Sequence, residues 1–147
     1  MKVLKVGLYI VAALVGAGVV GFFALGQHSQ AGSATGLVDG RLAPCPASPN
    51  CVSSEPGTDP QKAVQPLPIA AWDAIPAAIA GAGGTVIRQD EDYIAAEFTS
   101  ALFGFVDDVE LRRTEDAVHI RSASRVGESD MGVNAGRVDE LREALLR

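Results

Sequence analysis

From Val6 to Gly26 the chain carries no charged residue, and almost every position is apolar or glycine. At helical rise such a run spans about 30 Å, the thickness of a bilayer core. It therefore predicts a membrane-crossing helix followed by a separate folded part. Lys2 and Lys5 precede the run and no further Lys or Arg occurs until Arg41. By the positive-inside rule the N-terminus belongs in the cytoplasm and the remainder across the membrane, in the periplasm if the cell is bacterial. A cleaved signal peptide is the rival reading. Cleavable apolar segments run about 7–15 residues, shorter than this one. Ala24-Leu25-Gly26 and Gly32-Ser33-Ala34 are acceptable small-residue cleavage sites all the same, and cleavage there secretes the domain to the same side. No cysteine follows the run directly, so a lipoprotein signal is absent.

Ala13, Ala17 and Gly21 recur every four residues along the run. That spacing lets two membrane helices approach closely, although small residues are common in any such helix. Gly16 to Gly21 has dinucleotide-fingerprint spacing, but no strand precedes it and the match is spurious. All 18 acids lie beyond the run, against only ten of the 12 basic residues, so the exported part carries a net charge of −8. An acidic domain without a basic stripe excludes nucleic acid as a partner and adheres poorly to an anionic lipid surface.

Residues 27–68 read as a linker. Seven of the eight prolines fall between Pro44 and Pro68, with Ser, Gly and Ala between them and no helical or strand periodicity. Within it, Cys45 and Cys51 enclose five residues. In an oxidising compartment a disulfide is the first expectation, contributing about 2–2.5 kcal/mol by chain entropy. A redox pair favours two intervening residues, and a zinc site needs more ligands than His28 and His119 supply. No metal and no cofactor are expected. The disulfide loop is expected to act as a lid or strap on the domain.

The domain is expected over residues 69–147 as an α+β fold of helix, four antiparallel strands in two hairpins, and helix. Ile69 to Ala82 carries Trp72, Ile75 and Ile79 on one helical stripe, with Pro76 kinking or restarting the helix. The glycines at 81, 83 and 84 end it. Strands are predicted at Thr85–Gln89, Tyr93–Thr99, Val106–Thr114 and Ala117–Ser124. A final helix is predicted from about Ala135 to Leu146, with Asn134 as N-cap and Val138, Leu141 and Leu145 inward. Fewer than eighty residues make a marginal core, so the strap is expected to matter for stability.

The second hairpin is dense in unlike charges. A symmetric reversal at Glu115-Asp116 pairs Leu111 with Ile120, Glu110 with Arg121, Arg112 with His119 and Asp108 with Ala123. Asp108, Glu110, Arg121 and Arg125 then share one face, opposite the core face of Val109, Leu111, Val118 and Ile120. Such a face is most simply a solvated set of ion pairs, each worth about 0.2–1 kcal/mol. The sharper reading is a polar or ligand-binding cluster. Asp107, Ser122 and Ser124 lie on the core face, where they can meet the loop carrying Asp130 and Asn134. Arg125 and Arg137 can flank the N-terminus of the last helix, where N–H groups favour an anion.

Cys45-Pro46-Ala47-Ser48-Pro49-Asn50-Cys51-Val52-Ser53-Ser54, Phe105-Val106-Asp107-Asp108-Val109-Glu110, Arg121-Ser122-Ala123-Ser124-Arg125-Val126-Gly127, and Ser129-Asp130-Met131-Gly132-Val133-Asn134 with Arg137 stand in this order. Together they resemble the family known as domain of unknown function 1499, over about Pro44 to Leu145. The resemblance implies a small exported or membrane-tethered domain and supplies no reaction. Three functions compete. A non-catalytic module binds an envelope protein or a small anionic ligand through the hairpin face and strap. A small enzyme uses Asp107, Asp108 and Glu110 with His119 as acid–base groups, without a nucleophile elbow or metal-ligand spacing. An assembly factor contacts a membrane partner through Ala13, Ala17 and Gly21.

Overall fold

The computed structural model describes residues 2–146; Met1 and Arg147, at the outer ends of the expected cytoplasmic stub and C-terminal domain, lie outside the described residues. Along the chain come helix α1 (Lys2–Gln30), short strands β1 (Leu37–Val38), β2 (Arg41–Leu42), β3 (Cys51–Ser53) and β4 (Leu67–Pro68), a 3-10 turn (Ile69–Ala74), and helix α2 (Ile75–Gly81). Strands β5 (Thr85–Gln89), β6 (Tyr93–Thr99), β7 (Val106–Arg113) and β8 (Ala117–Ser124) follow, then helix α3 (Val133–Leu145). Helix α1 is long and apolar enough to cross a membrane by length and composition, with a mean hydropathy of 2.4.

The α+β expectation holds. Strands β5 to β8 form two antiparallel hairpins joined through β6 and β7, and the β7–β8 register is the one deduced from the symmetric turn: Leu111 opposite Ile120, Glu110 opposite Arg121, Arg112 opposite His119, Asp108 opposite Ala123. The sheet is larger than four strands. Its order is β3-β8-β7-β6-β5, and β4 also pairs with β8. Cys51 to Ser53 run against Arg121 to Ala123, and Leu67 lies opposite Val118. Two strands on the free edge of β8 thus come from the segment expected as linker. Their shortness explains why no period of two was visible there.

One sheet face carries Ile94, Ala96, Phe98, Val109, Leu111, Val118 and Ile120, which pack with Trp72, Ile75, Ile79, Val138 and Leu141 of the helical layer. The helical stripe does restart at Pro76. A 3-10 turn precedes it and Pro76 sits in the first turn of α2, where its missing N–H is no loss. Helix α3 begins two residues earlier than expected. Gly132 takes a left-handed φ of 83°, and Asp130, not Asn134, does the capping: its carboxylate accepts the Asn134 N–H at 2.7 Å and the Gly132 N–H at 3.1 Å. Asn134 is fully buried and its amide serves a side-chain network.

The opposite sheet face is also covered. Leu42 packs against Tyr93 and Ala95, with Ala34 beside them, and β2 crosses β7 and β8. Ala34, Gly36, Leu42 and, beyond β3, Glu55 belong to this second layer. Cys45 and Cys51 are disulfide-bonded within it, which fixes the loop entering β3 and makes the expected strap a cover over the sheet.

Candidate functional site

The four charges read from the second hairpin do come together, and they come together under cover. Glu110 accepts from the Arg121 guanidinium at 2.9 Å, the Tyr93 hydroxyl at 2.7 Å and the backbone N–H of Gly36 at 2.6 Å. Asp108 receives two bonds from Arg125, at 2.7 and 2.8 Å, and the same guanidinium pairs with Glu97. Glu110 is 0% and Arg121 7% exposed. The solvated ion-pair face expected from sequence is therefore corrected to a buried one. The reason is the segment after α1, whose Leu42 and Ala34 pack on this face against Tyr93 and Ala95. Alternation along β7 and β8 reports which side a residue takes and is silent about what lies on it. Arg125 lies with Asp108 on the face read for it from the sequence, and only its suggested place beside the last helix differs. It reaches this face and the carbonyl of Ser29, not the N-terminus of α3.

A second cluster extends the first along the strap. Glu55, 8% exposed, accepts from Arg112 at 2.9 and 3.1 Å, from Arg41 at 3.2 Å and from the N–H of Leu42 at 3.1 Å. Burial alone raises its carboxyl pKa, but the Arg112 bonds and the Leu42 N–H outweigh that and hold it below the ordinary value. Burial, reinforced by the bond to Glu110, raises the Tyr93 hydroxyl above its ordinary value. Hydrogen bonds to Asp108 outweigh burial at Arg125 and raise its pKa, so it stays charged. Arg121 keeps one buried nitrogen, Nε, without a partner among the described residues.

The remaining predicted residues assemble on the helical side. Asn134 accepts from the Ser122 hydroxyl and donates to Ser124 Oγ at 3.0 Å and to the Asn50 carbonyl at 3.1 Å. Arg137 donates to Asn134 at 2.8 Å and to Asp107 at 2.8 Å, and its guanidinium lies 4.5 Å from the Phe98 ring centre. Asn50 in turn donates to the Gly127 carbonyl at 2.7 Å. Asn134, in the first turn of α3, thus meets Ser122 and Ser124, Arg137 of the same helix meets Asp107, and the Asn50 carbonyl joins the disulfide loop to them. Asp130 is held below its ordinary pKa: burial works against its charge, but the Asn134 and Gly132 N–H groups prevail. Arg137 is matched by Asp107, which leaves no spare positive charge for an anion.

Where this cluster reaches the surface, it meets the end of α1. Ser29 acts as an extra partner for the first residue of β7, accepting the Val106 N–H at 2.8 Å and donating to the Val106 carbonyl at 3.3 Å. Gln30 donates to the Gly104 carbonyl, and Gly26 sits so close to the Phe103 carbonyl that any Cβ there overlaps it. The Phe103 ring centre lies 5.2 Å from that of Phe22 and 5.3 Å from that of Phe23. Between α1 and the β7–β8 ends lies a pocket of about 300 Å³. Phe22, Leu25 and Phe105 form its apolar wall; Asp107, Ser124 and Asp130 form its polar one. A larger pocket of about 550 Å³ lies over Leu42, Glu55 and the disulfide loop, but its one buried carboxylate is fully engaged by Arg41 and Arg112.

Asp107, Asp108, Glu110 and His119 do not share a point. Asp107 faces the helices, Asp108 and Glu110 face the strap, and the His119 ring sits 3.0 Å from the Ser54 carbonyl. Sequence reasoning missed Ser29, Gly36, Tyr93 and Glu55. Gly36 and Glu55 lie in, and Tyr93 is reached by, the segment between α1 and β4, whose spacing carries no period that marks a contact, and Ser29 closes the apolar helix. The aromatic pair Phe22-Phe23, closing an apolar run and matched by Phe103 and Phe105 farther on, was the available signal for the α1 junction.

Fold and site define a small α+β domain whose sheet is sandwiched between helices and a disulfide-tied strap, and which is docked to a long apolar N-terminal helix. The chain belongs to the family described as protein of unknown function (DUF1499), whose match covers residues 41–145. No curated protein and no solved structure matches it.

Proposed function

We propose that this chain is a membrane-tethered, extracytoplasmic, non-catalytic module of the cell envelope, and that it binds its ligand in the pocket between α1 and the β7–β8 ends. The observation that carries the reading is this pocket. It joins residues of the apolar helix, Phe22 and Leu25, to three polar residues singled out by the sequence, Asp107, Ser124 and Asp130. Pockets of this volume lie at the lower end of those that hold small ligands. The tether reading is supported by the length and hydropathy of α1 and by the Cys45–Cys51 disulfide, which belongs to an oxidising compartment. Asp107 is held by Arg137 through Oδ2, and its other oxygen favours a ligand that donates a hydrogen bond over the small anion expected from sequence. The apolar wall favours one with a hydrocarbon part.

Val133 lines the pocket at the start of α3 and is half exposed, outside the polar network. Val133→Trp fills the space while leaving the network intact. Native mass spectrometry of the full chain, extracted from its own membrane in mild detergent, is expected to show a bound small molecule in the parent and its loss in Val133→Trp, at an unchanged melting temperature. A parent that carries nothing, or a variant that keeps the same molecule, counts against the pocket.

A further inference from the structure

We infer that the loop joining β6 to β7, residues 100–105, dips into the outer leaflet as a second membrane contact beside α1. The inference rests on α1 being a retained span, as proposed above. Counted from Val6 at about 1.5 Å per residue, a hydrocarbon core of about 30 Å ends near Leu25. Phe22 and Phe23 then lie roughly 3–5 Å inside its outer boundary. Phe103 packs its ring against both, so it must lie at their depth. Leu102, its neighbour at the loop tip, is 70% exposed and touches no core. On a protein surface this is unspent apolar area; at that depth it is buried in lipid.

Three further features fit a lipid-immersed loop. No charged residue occurs between Glu97 and Asp107. The base of the loop is tied from within: Ser100 N–H donates to the Phe105 carbonyl at 2.8 Å, Gly104 N–H to the Ser100 carbonyl at 3.0 Å, and Phe105 N–H to Ser100 Oγ at 2.9 Å. Gln30 from α1 donates to the Gly104 carbonyl at 3.1 Å. The domain is also net acidic, so attraction to anionic headgroups is not what draws the loop in. The contact is apolar and therefore insensitive to salt.

The test is depth-dependent fluorescence quenching in the full chain, reconstituted in phosphatidylcholine vesicles with bromines placed shallow or deep along the acyl chains. The native Trp72 is 7% exposed and stacks under Arg113 at the far end of β7 from the loop, about 23 Å by strand rise. It supplies a constant, unquenched background. Leu102→Trp is expected to add a blue-shifted signal that shallow bromines quench more than deep ones, in low and high salt alike. Leu14→Trp, mid-helix, reports the span and is expected to be quenched most by deep bromines. Glu115→Trp, on the β7–β8 turn, is expected to show no quenching. If Leu14→Trp is quenched while Leu102→Trp emits as in water, the span stands and the loop proposal falls. If Leu14→Trp is not quenched, both fall together.

Discussion

Glu110 is the side chain on which the strap face turns. It is a buried carboxylate held by a guanidinium, a phenol and one backbone N–H. Glu110→Ala strands the Arg121 charge, which already has one nitrogen unpaired, and removes the acceptor that fixes Gly36. Breaking one member of a buried pair costs about 3–5 kcal/mol, and chemical denaturation is expected to show a loss of that order. The double change Glu110→Leu with Arg121→Met is expected to cost less than Glu110→Ala alone, since no charge is then left behind. Glu55 sets an acid limit. Its folded pKa lies below its unfolded one, so the stability it contributes is fully present above the ordinary carboxylate value of about 4.3 and is lost as pH falls through the depressed one. Melting temperatures followed into acid are expected to fall steeply below about pH 4, and less steeply in Glu55→Gln. Equal slopes in the two chains refute this assignment.

Period and turn chemistry made the later elements legible. All four long strands and the pairing of Glu110 with Arg121 follow from alternation and a symmetric two-residue turn, because a slip of one position would have turned Leu111 and Ile120 outward. The capping of α3 did not follow. Asn134 and Asp130 both carry the chemistry of a cap, and only the left-handed turn at Gly132 decides between them. Strands β3 and β4 were invisible because two or three residues cannot display a period, and their pairing with β8 is set by partners 49 to 72 residues away. The docking of α1 was equally hidden, since the Ser29 hydroxyl bonds the Val106 backbone, a contact that no sequence pattern announces. That docking depends on close approach at Gly26. Gly26→Val is expected to push the last turns of α1 off the sheet, leaving the Val106 N–H without Ser29. Amide hydrogen exchange of the full chain should then be faster at Val106, with β8 unchanged.

Charge and hydropathy divided the chain into an apolar run, a Pro-rich stretch and a structured remainder, and they hid the fact that the second part completes the third. A chain cut to residues 69–147 keeps the helical core but lacks β3, β4 and the strap, and so uncovers Tyr93, Glu110 and Arg121. It is expected to be largely unfolded by circular dichroism, whereas residues 27–147 fold; a cooperative melt from the shorter piece is the contrary result. The cover also fixes an order of events. Gly36 lies 74 residues from Glu110, and Ser29 lies 77 from Val106. Whatever emerges first from the ribosome finds its mates only when the final ribbons have arrived. Contacts that far apart in the chain slow folding, so early arrivals stay extended and thread-like until the end. For a polypeptide that is exported, as proposed for this one, and so passes through a narrow pore before it closes up, that delay is an advantage.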